Sequence, residues 1–120
     1  MNETHKEPGC FFCEIIEGRA PANRIYEDDL FIAIEDISPQ APFHFLVIPK
    51  KHISEVRYIT DDDKELLEHW FWTAIKIARD KGLDEEGYRT VINNGVGGGQ
   101  TVSHIHIHLG SGPFRAVGKI

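Results

Sequence analysis

The sequence predicts a small α+β domain, an antiparallel sheet of about five strands with a short N-terminal helix and a long central helix. Short apolar runs bounded by turn residues recur near residue 25 and at 30–35, 44–48, 89–93 and 102–109. Such runs mark strands, whose successive side chains point to opposite faces. One long stretch, 60–80, repeats its apolar residues every three or four positions instead, as a helix resting on a sheet does. With 120 residues the chain has material for one modest core, so a single domain over 9–120 is expected, with both helices on one sheet face and function on the other.

Charge narrows the possible partners. The formal net charge of -6, from 19 acidic and 13 basic residues, argues against nonspecific binding to nucleic acid or to an anionic membrane, so any anionic ligand must be recognised by a local pocket. No apolar run reaches transmembrane length and the first residues are polar and acidic, so a cytoplasmic protein is expected.

Residues 1–8 hold almost nothing that can be buried and are expected to be a flexible tail closed by Pro8 and Gly9. Phe11, Phe12, Ile15 and Ile16 form an apolar ridge ended by Gly18, which suits a helix of about two turns. Cys10 and Cys13 are too close in sequence to staple a useful loop, and read as reduced thiols or as half of a metal site. The runs 30–35 and 44–49 are joined by a connector containing Pro39 and Pro42, which demand a non-helical path and make the two runs antiparallel neighbours. Lys50 and Lys51 read as a solvated edge. Thr60 followed by Asp61, Asp62 and Asp63 starts the long helix, with a threonine cap and acids at the positive end of the helix dipole. Its stripe is Leu66, Leu67, Trp70, Phe71, Ala74, Ile77 and Ala78, and Gly82 supplies the stop. Trp70 and Trp72 read as packing or interface residues, and His69 as a surface residue.

The stretch 94–99, N-G-V-G-G-G, lacks the lysine and following helix of a nucleoside-triphosphate loop and the strand-to-helix setting of a dinucleotide fingerprint. It is either a tight glycine hairpin or a loop whose N–H groups approach a phosphate, with Gln100 and Thr101 as further donors. The run V-S-H-I-H-I-H-L at 102–109 follows. As a strand it places Val102, His104, His106 and His108 on one face and Ser103, Ile105, Ile107 and Leu109 on the other. Three imidazoles about 7 Å apart on one face can share a metal, a phosphate or a relay of hydrogen bonds.

Three blocks stand in order over about 10–110: F-F-C-E-I-I-E-G-R-A-P-A, D-I-S-P-Q-A-P-F-H-F-L-V-I-P-K-K-H-I-S and G-G-Q-T-V-S-H-I-H-I-H-L-G. In these blocks the chain resembles the histidine-triad superfamily, specifically its nucleotide-binding purine nucleoside phosphoramidase branch. The resemblance implies the histidine-triad fold and a two-fold homodimer formed by the long helix and the strand at 89–93. It implies a hydrolase that cleaves the P–N bond of purine nucleoside phosphoramidates and releases AMP and an amine. By matching position, His106 resembles the nucleophile. His44 and His108 resemble phosphate-site partners, and Thr101, Asn93 and the backbone near Gly99 also hold the phosphate or leaving group. Asp36 resembles the carboxylate that accepts ribose hydroxyl bonds, and Phe12, Ile15, Phe31 and Ile37 the walls around a purine. Other superfamily members place a structural zinc ion on residues matching Cys10, Cys13, His52 and His104, the alternative here being free buried thiols. The chain departs from the phosphoramidase pattern after Gly110, where no tryptophan follows. Cleavage of dinucleoside polyphosphates, also found in the superfamily, and a non-enzymatic AMP-binding or scaffold role are the competing readings.

The chemistry is reasonable on its own terms. A neutral imidazole is a competent nucleophile near pH 7 because its unperturbed pKa is about 6.5, and tying one ring nitrogen to a backbone carbonyl selects the attacking tautomer. Charge that builds on phosphoryl oxygens can be met by neighbouring imidazoles, Thr101 and loop N–H groups without Mg²⁺.

Overall fold

The computed structural model describes residues 9–113. The tail expected at 1–8 and the divergent end after 113 lie outside the described residues. Five strands, β1 (Arg24–Glu27), β2 (Phe31–Glu35), β3 (Phe43–Pro49), β4 (Arg89–Val91) and β5 (Ile107–Ser111), form one antiparallel sheet in the order β1-β2-β3-β5-β4. Two α-helices accompany it, α1 (Phe11–Ile16) and α2 (Lys64–Asp80). This is the α+β architecture that the residue patterns predict. Among the described residues no helix is long and apolar enough to cross a membrane.

The sheet is covered on both sides, which corrects the expectation of two helices on one face. Phe31, Ala33, Phe45, Val47, Ile107 and Leu109 pack with Trp70, Ala74, Ile77 and Ala78 of α2. Ile32, Ile34, Leu46 and Ile48, the alternate residues of β2 and β3, pack with Phe12 and Ile15 of α1. Continuous apolar runs in β2 and β3 are what a sheet buried on both faces requires. Trp70 docks α2 in register, its indole N–H donating to the Val47 carbonyl at 3.0 Å.

The start of α2 follows the capping chemistry. Thr60 Oγ1 accepts from the Asp62 N–H, and the Asp63 carboxylate accepts from the Thr60 N–H at 3.0 Å. The first turn, Asp61–Asp63, is a 3₁₀ turn before the helix proper. Lys51 is a structural partner here and not a solvated edge: its ammonium donates to the buried Asp63 carboxylate at 2.6 Å. Lys50 pairs with Glu27 at 2.8 Å.

The histidine segment is the main departure from the predicted strands. Only Ile107–Ser111 joins the sheet, and 102–106 is irregular. Its neighbour β3 ends at Pro49, which has no N–H to continue a ladder. The Ile105 N–H donates to Ile53 beyond the end of β3, at 2.8 Å, and the His104 N–H turns back to the Val102 carbonyl at 2.8 Å.

The Lys51–Asp63 pair makes a stability prediction. The Lys51 hydrogen bond, helped by the Thr60 N–H, holds the Asp63 carboxyl below the usual aspartate range. Lys51→Met leaves a buried carboxylate without its cation and lowers stability at pH 7 by about 2 kcal/mol. A lowered folded-state pKa contributes stability above the unfolded value near 4, which is lost as pH falls through the folded value. Urea unfolding of both proteins at pH 7 and pH 3 should therefore show the gap closing at acid pH.

Candidate functional site

Cross-strand register decides which side chains meet on the face away from α2. Ile34 of β2 pairs with Leu46 of β3, and Leu46 pairs with His108 of β5. His44 pairs with Gly110, two residues along from the Leu46–His108 level. His44 Nε2 lies 3.0 Å from His108 Nδ1, and the Gln40 N–H donates to His44 Nδ1 at 3.0 Å. An N–H cannot accept, so His44 Nδ1 is the acceptor nitrogen. Its Nε2 carries the proton and donates to His108 Nδ1, and the neutral His108 keeps an Nε2–H as its remaining donor. The Asp36 carboxylate lies 3.5 Å from His44 Nε2 and accepts from the Ser38 N–H at 2.8 Å.

His106 is fixed the opposite way. Its Nδ1 lies 2.8 Å from the His104 carbonyl oxygen, which can only accept, so Nδ1 carries the proton and Nε2 carries the lone pair. The Phe12 ring packs edge-on against it at 5.0 Å, and the His108 ring lies 4.9 Å away. Burial lowers the pKa of His44 and His106, partly offset at His44 by the Asp36 carboxylate and at His106 by its bond to His104. Burial together with repulsion from His106 and His44 pushes His108 down to about 3. The imidazoles are thus held neutral at pH 7, with His106 offering a lone pair and His108 an N–H.

These rings border a pocket of about 140 Å³ between α1 and the sheet. Phe12, Ile15, Ile34 and Leu46 form its apolar wall, Ile37 stands at its edge, and Asp36, Thr101, His106 and His108 supply the polar groups. The expected Asp36, Phe12, Ile15, Ile37, Thr101, His106 and His108 are thereby brought together, with His44 buried behind His108. Phe31 is not among them. The alternation of β2 turns it into the core beneath α2, and Ile34 stands in the apolar wall of the pocket instead. Asn93 and Gly99 do not line this pocket. The Gly98 and Gly99 N–H groups donate to the Gly95 and Val96 carbonyls inside a 3₁₀ turn, at 3.1 and 3.0 Å. Gln100 likewise serves the loop, accepting from the Gly95 N–H and donating to the Ser54 and Val102 carbonyls. Leu46 was missed in the sequence, although alternation from His44 along one strand places it on the same face.

Cys10, Cys13, His52 and His104 converge at the other end of the segment, their ligand atoms all within 4.8 Å of one another. His104 Nδ1 lies 3.4 Å from Cys10 Sγ, 3.6 Å from Cys13 Sγ and 3.1 Å from His52 Nδ1, and Cys13 Sγ lies 3.3 Å from His52 Nδ1. A tetrahedral zinc ion with Zn–N near 2.0 Å and Zn–S near 2.3 Å spaces its ligands at roughly 3.3 Å for N···N and roughly 3.5 Å for N···S. The tautomer agrees as well: His104 Nε2 lies 2.7 Å from the Pro49 carbonyl, which accepts from an Nε2–H and so leaves the Nδ1 lone pair for a metal. The donors therefore fit a zinc ion. Asp36, His44 and His108 also lie close together, but Gln40 keeps the proton on the His44 nitrogen that a metal there needs as a lone pair.

The depressed imidazoles make the protein sensitive to acid. Between the unfolded histidine pKa near 6.5 and the folded value the unfolded chain binds more protons, so stability present above pH 6.5 is lost as pH falls. For His108 that window runs down to about 3. Urea unfolding at pH 7.5 and pH 5 should show a smaller acid-induced loss for His108→Asn than for the unsubstituted protein. Equal losses would mean that His108 is not held neutral.

The residues 9–119 match the family model described as scavenger mRNA decapping enzyme C-terminal binding. An uncharacterised HIT-like protein of Synechococcus elongatus is 52% identical over 98 residues, covering 82% of this chain and 85% of its own. Among solved structures, a HIT family hydrolase from Legionella pneumophila superposes with a TM-score of 0.87 at 47% identity, over 92% of this chain and 99% of that one. The histidine triad nucleotide-binding protein of Candida albicans superposes with a TM-score of 0.76 at 34% identity, over 84% of this chain and 73% of that one. Ordered sequence blocks, sheet topology and these likenesses agree, and the chain belongs to the histidine-triad (HIT) family, with the fold of its hydrolases.

Proposed function

We propose that the protein hydrolyses purine nucleoside phosphoramidates, with His106 as nucleophile. One observation carries this reading: the His104 carbonyl holds the proton on His106 Nδ1, so the unprotonated Nε2 of a pocket-lining imidazole is available to attack phosphorus. As the Nε2–P bond forms, the P–N bond to the leaving group breaks and the departing nitrogen takes up a proton from solvent water. Water then cleaves the nucleotidyl-histidine and releases AMP. The His108 Nε2–H and the Thr101 hydroxyl donate to the phosphoryl oxygens, where charge develops. Asp36 accepts from the ribose hydroxyls, while Phe12, Ile15, Ile34 and Ile37 enclose the base.

In the same reading Cys10, Cys13, His52 and His104 hold a structural zinc ion, which tethers α1 to the sheet and, with four protein ligands, leaves no position for water. Reduced thiols of this kind fit a cytoplasmic protein. Two chains pair through α2 and β4, a reading supported by the half-exposed Phe71 and Ile92 beside a three-residue edge strand. Phe71→Glu should then sediment as a monomer where the unsubstituted protein sediments as a dimer.

Incubation with adenosine 5′-phosphoramidate should release AMP, and His106→Ala should lower kcat by about a thousandfold or more. Protein purified without chelator should carry about one zinc per chain, unchanged by His106→Ala. Silence of the unsubstituted protein, or equal turnover by the variant, would overturn the enzymatic reading. A strong preference for diadenosine polyphosphate would move the substrate class to dinucleoside polyphosphates.

A further inference from the structure

The cysteine-histidine cluster and the pocket have no residue in common but are joined through His104. His104 contributes its ring to the cluster and its peptide carbonyl to His106. The segment carrying that carbonyl, 102–106, lies outside the strand, so no regular ladder fixes it. What holds it is local: bonds from Gln100 and from the His104 N–H to the Val102 carbonyl at its start, then the ring bond from His104 to Pro49, and the Ile105 N–H bond to Ile53, the residue that follows the cluster's His52. The cluster thus grips both sides of the Ile53–Ile105 bond.

A second connection runs through α1. Phe12 stands between Cys10 and Cys13 on a helix of six residues. A helix that short does not persist alone, and its position depends on what it is packed against and bonded to. The Phe12 ring meets His106 edge-on at 5.0 Å and His104 at 6.0 Å. Two neighbours of His106, the carbonyl behind it and the Phe12 ring beside it, are therefore attached to residues of the cluster, while a third, the His108 ring, is held by β5. A cluster that only stapled α1 to the sheet would stabilise the fold without bearing on the state of the His106 ring.

We propose that the Cys10, Cys13, His52 and His104 cluster, when metal-bound, is a positioning device that sets the tautomer and orientation of His106 without touching substrate. The inference rests on the zinc and nucleophile readings above and adds to them that metal occupancy controls nucleotide binding and the nucleophile's lone pair. His52 is the residue to test because it belongs to the cluster and does not line the pocket. It faces the cluster with Nδ1, the ring nitrogen close to its point of attachment, so a cysteine sulfur at this position reaches about as far. His52→Cys keeps four ligands, and His52→Ala removes one.

The experiment compares unsubstituted protein, His52→Ala and His52→Cys for zinc per chain, AMP affinity by calorimetry, and the ring nitrogen signals of His106 by ¹⁵N NMR at pH 8. The expected result for His52→Ala is loss of zinc, AMP affinity weakened by about tenfold or more, and a mixture of His106 tautomers in place of the single Nδ1–H form. His52→Cys should keep zinc and restore both other readings. Should His52→Ala fail to fold, unsubstituted protein stripped with chelator and then reloaded with zinc gives the same comparison. Loss of zinc with AMP affinity and the His106 tautomer unchanged would overturn the proposal and leave the cluster as a simple staple. Absence of zinc from the unsubstituted protein would instead sink the zinc reading. Zinc with an ordered His106 but no turnover would sink the phosphoramidase reading alone.

Discussion

A neutral imidazole has one donor and one acceptor, and at three histidines of this protein the backbone decides which is which. The carbonyls of Pro49 and His104 accept from His104 Nε2–H and His106 Nδ1–H and so keep the protons there, and the N–H of Gln40 keeps His44 Nδ1 unprotonated. Each bond is ordinary in strength, worth about 1 kcal/mol net. Its effect lies in assignment: one ring turns a lone pair towards the cysteines, one keeps a lone pair at the pocket, and one becomes a donor to His108. The rest of the architecture serves to bring those three backbone groups to the right edges of the rings.

Much of that architecture is legible in the sequence because it follows periodicity. The two central strands, the long helix with its threonine cap and its end at Asp80, and the non-helical connector at 36–42 all follow from local rules and appear as read. The coverage of both sheet faces is also written in β2 and β3, whose runs lack the alternating polar residues of a half-exposed strand. Reading α1 onto the same side as α2 neglected that signal. The start of β5 was hidden for a different reason. His104 to Leu109 alternates perfectly, and nothing within it shows that the neighbouring strand ends at a proline and cannot extend the ladder.

The site shows the same division. His44, His106, His108 and Thr101 stand out by residue type and place in the chain because imidazole and hydroxyl chemistry restricts what they can do, whereas Asp36 is indicated only by the resemblance to the histidine-triad superfamily. Phe31 and Ile34 are harder to separate, since both are apolar residues of one strand and only the face distinguishes them. Once Ile34 is paired with Leu46 and Leu46 with His108, the choice follows from the two-residue repeat. The glycine loop is legible as a loop, but its use is not. Glycines with N–H groups at positions suited to an anion look the same in sequence as glycines that close a turn on themselves, as Gly95, Gly98 and Gly99 do.

The irregular segment before β5 has a physical rationale. In a ladder a carbonyl points sideways at the next strand, while the side chain two residues on stands perpendicular to the sheet. A ring cannot then donate to the carbonyl two residues before it. The bond from His106 Nδ1 to the His104 carbonyl at 2.8 Å therefore needs backbone that has left the sheet. Backbone outside the sheet lacks the ladder that would hold it still, and a nucleophile must be held still to react efficiently. Clamping the His104 ring between the Pro49 carbonyl and the Cys10, Cys13 and His52 ligand atoms resolves that conflict. On the proposed reading, the cluster stands immediately beside His106 because a nucleophile held in this way requires that backbone geometry.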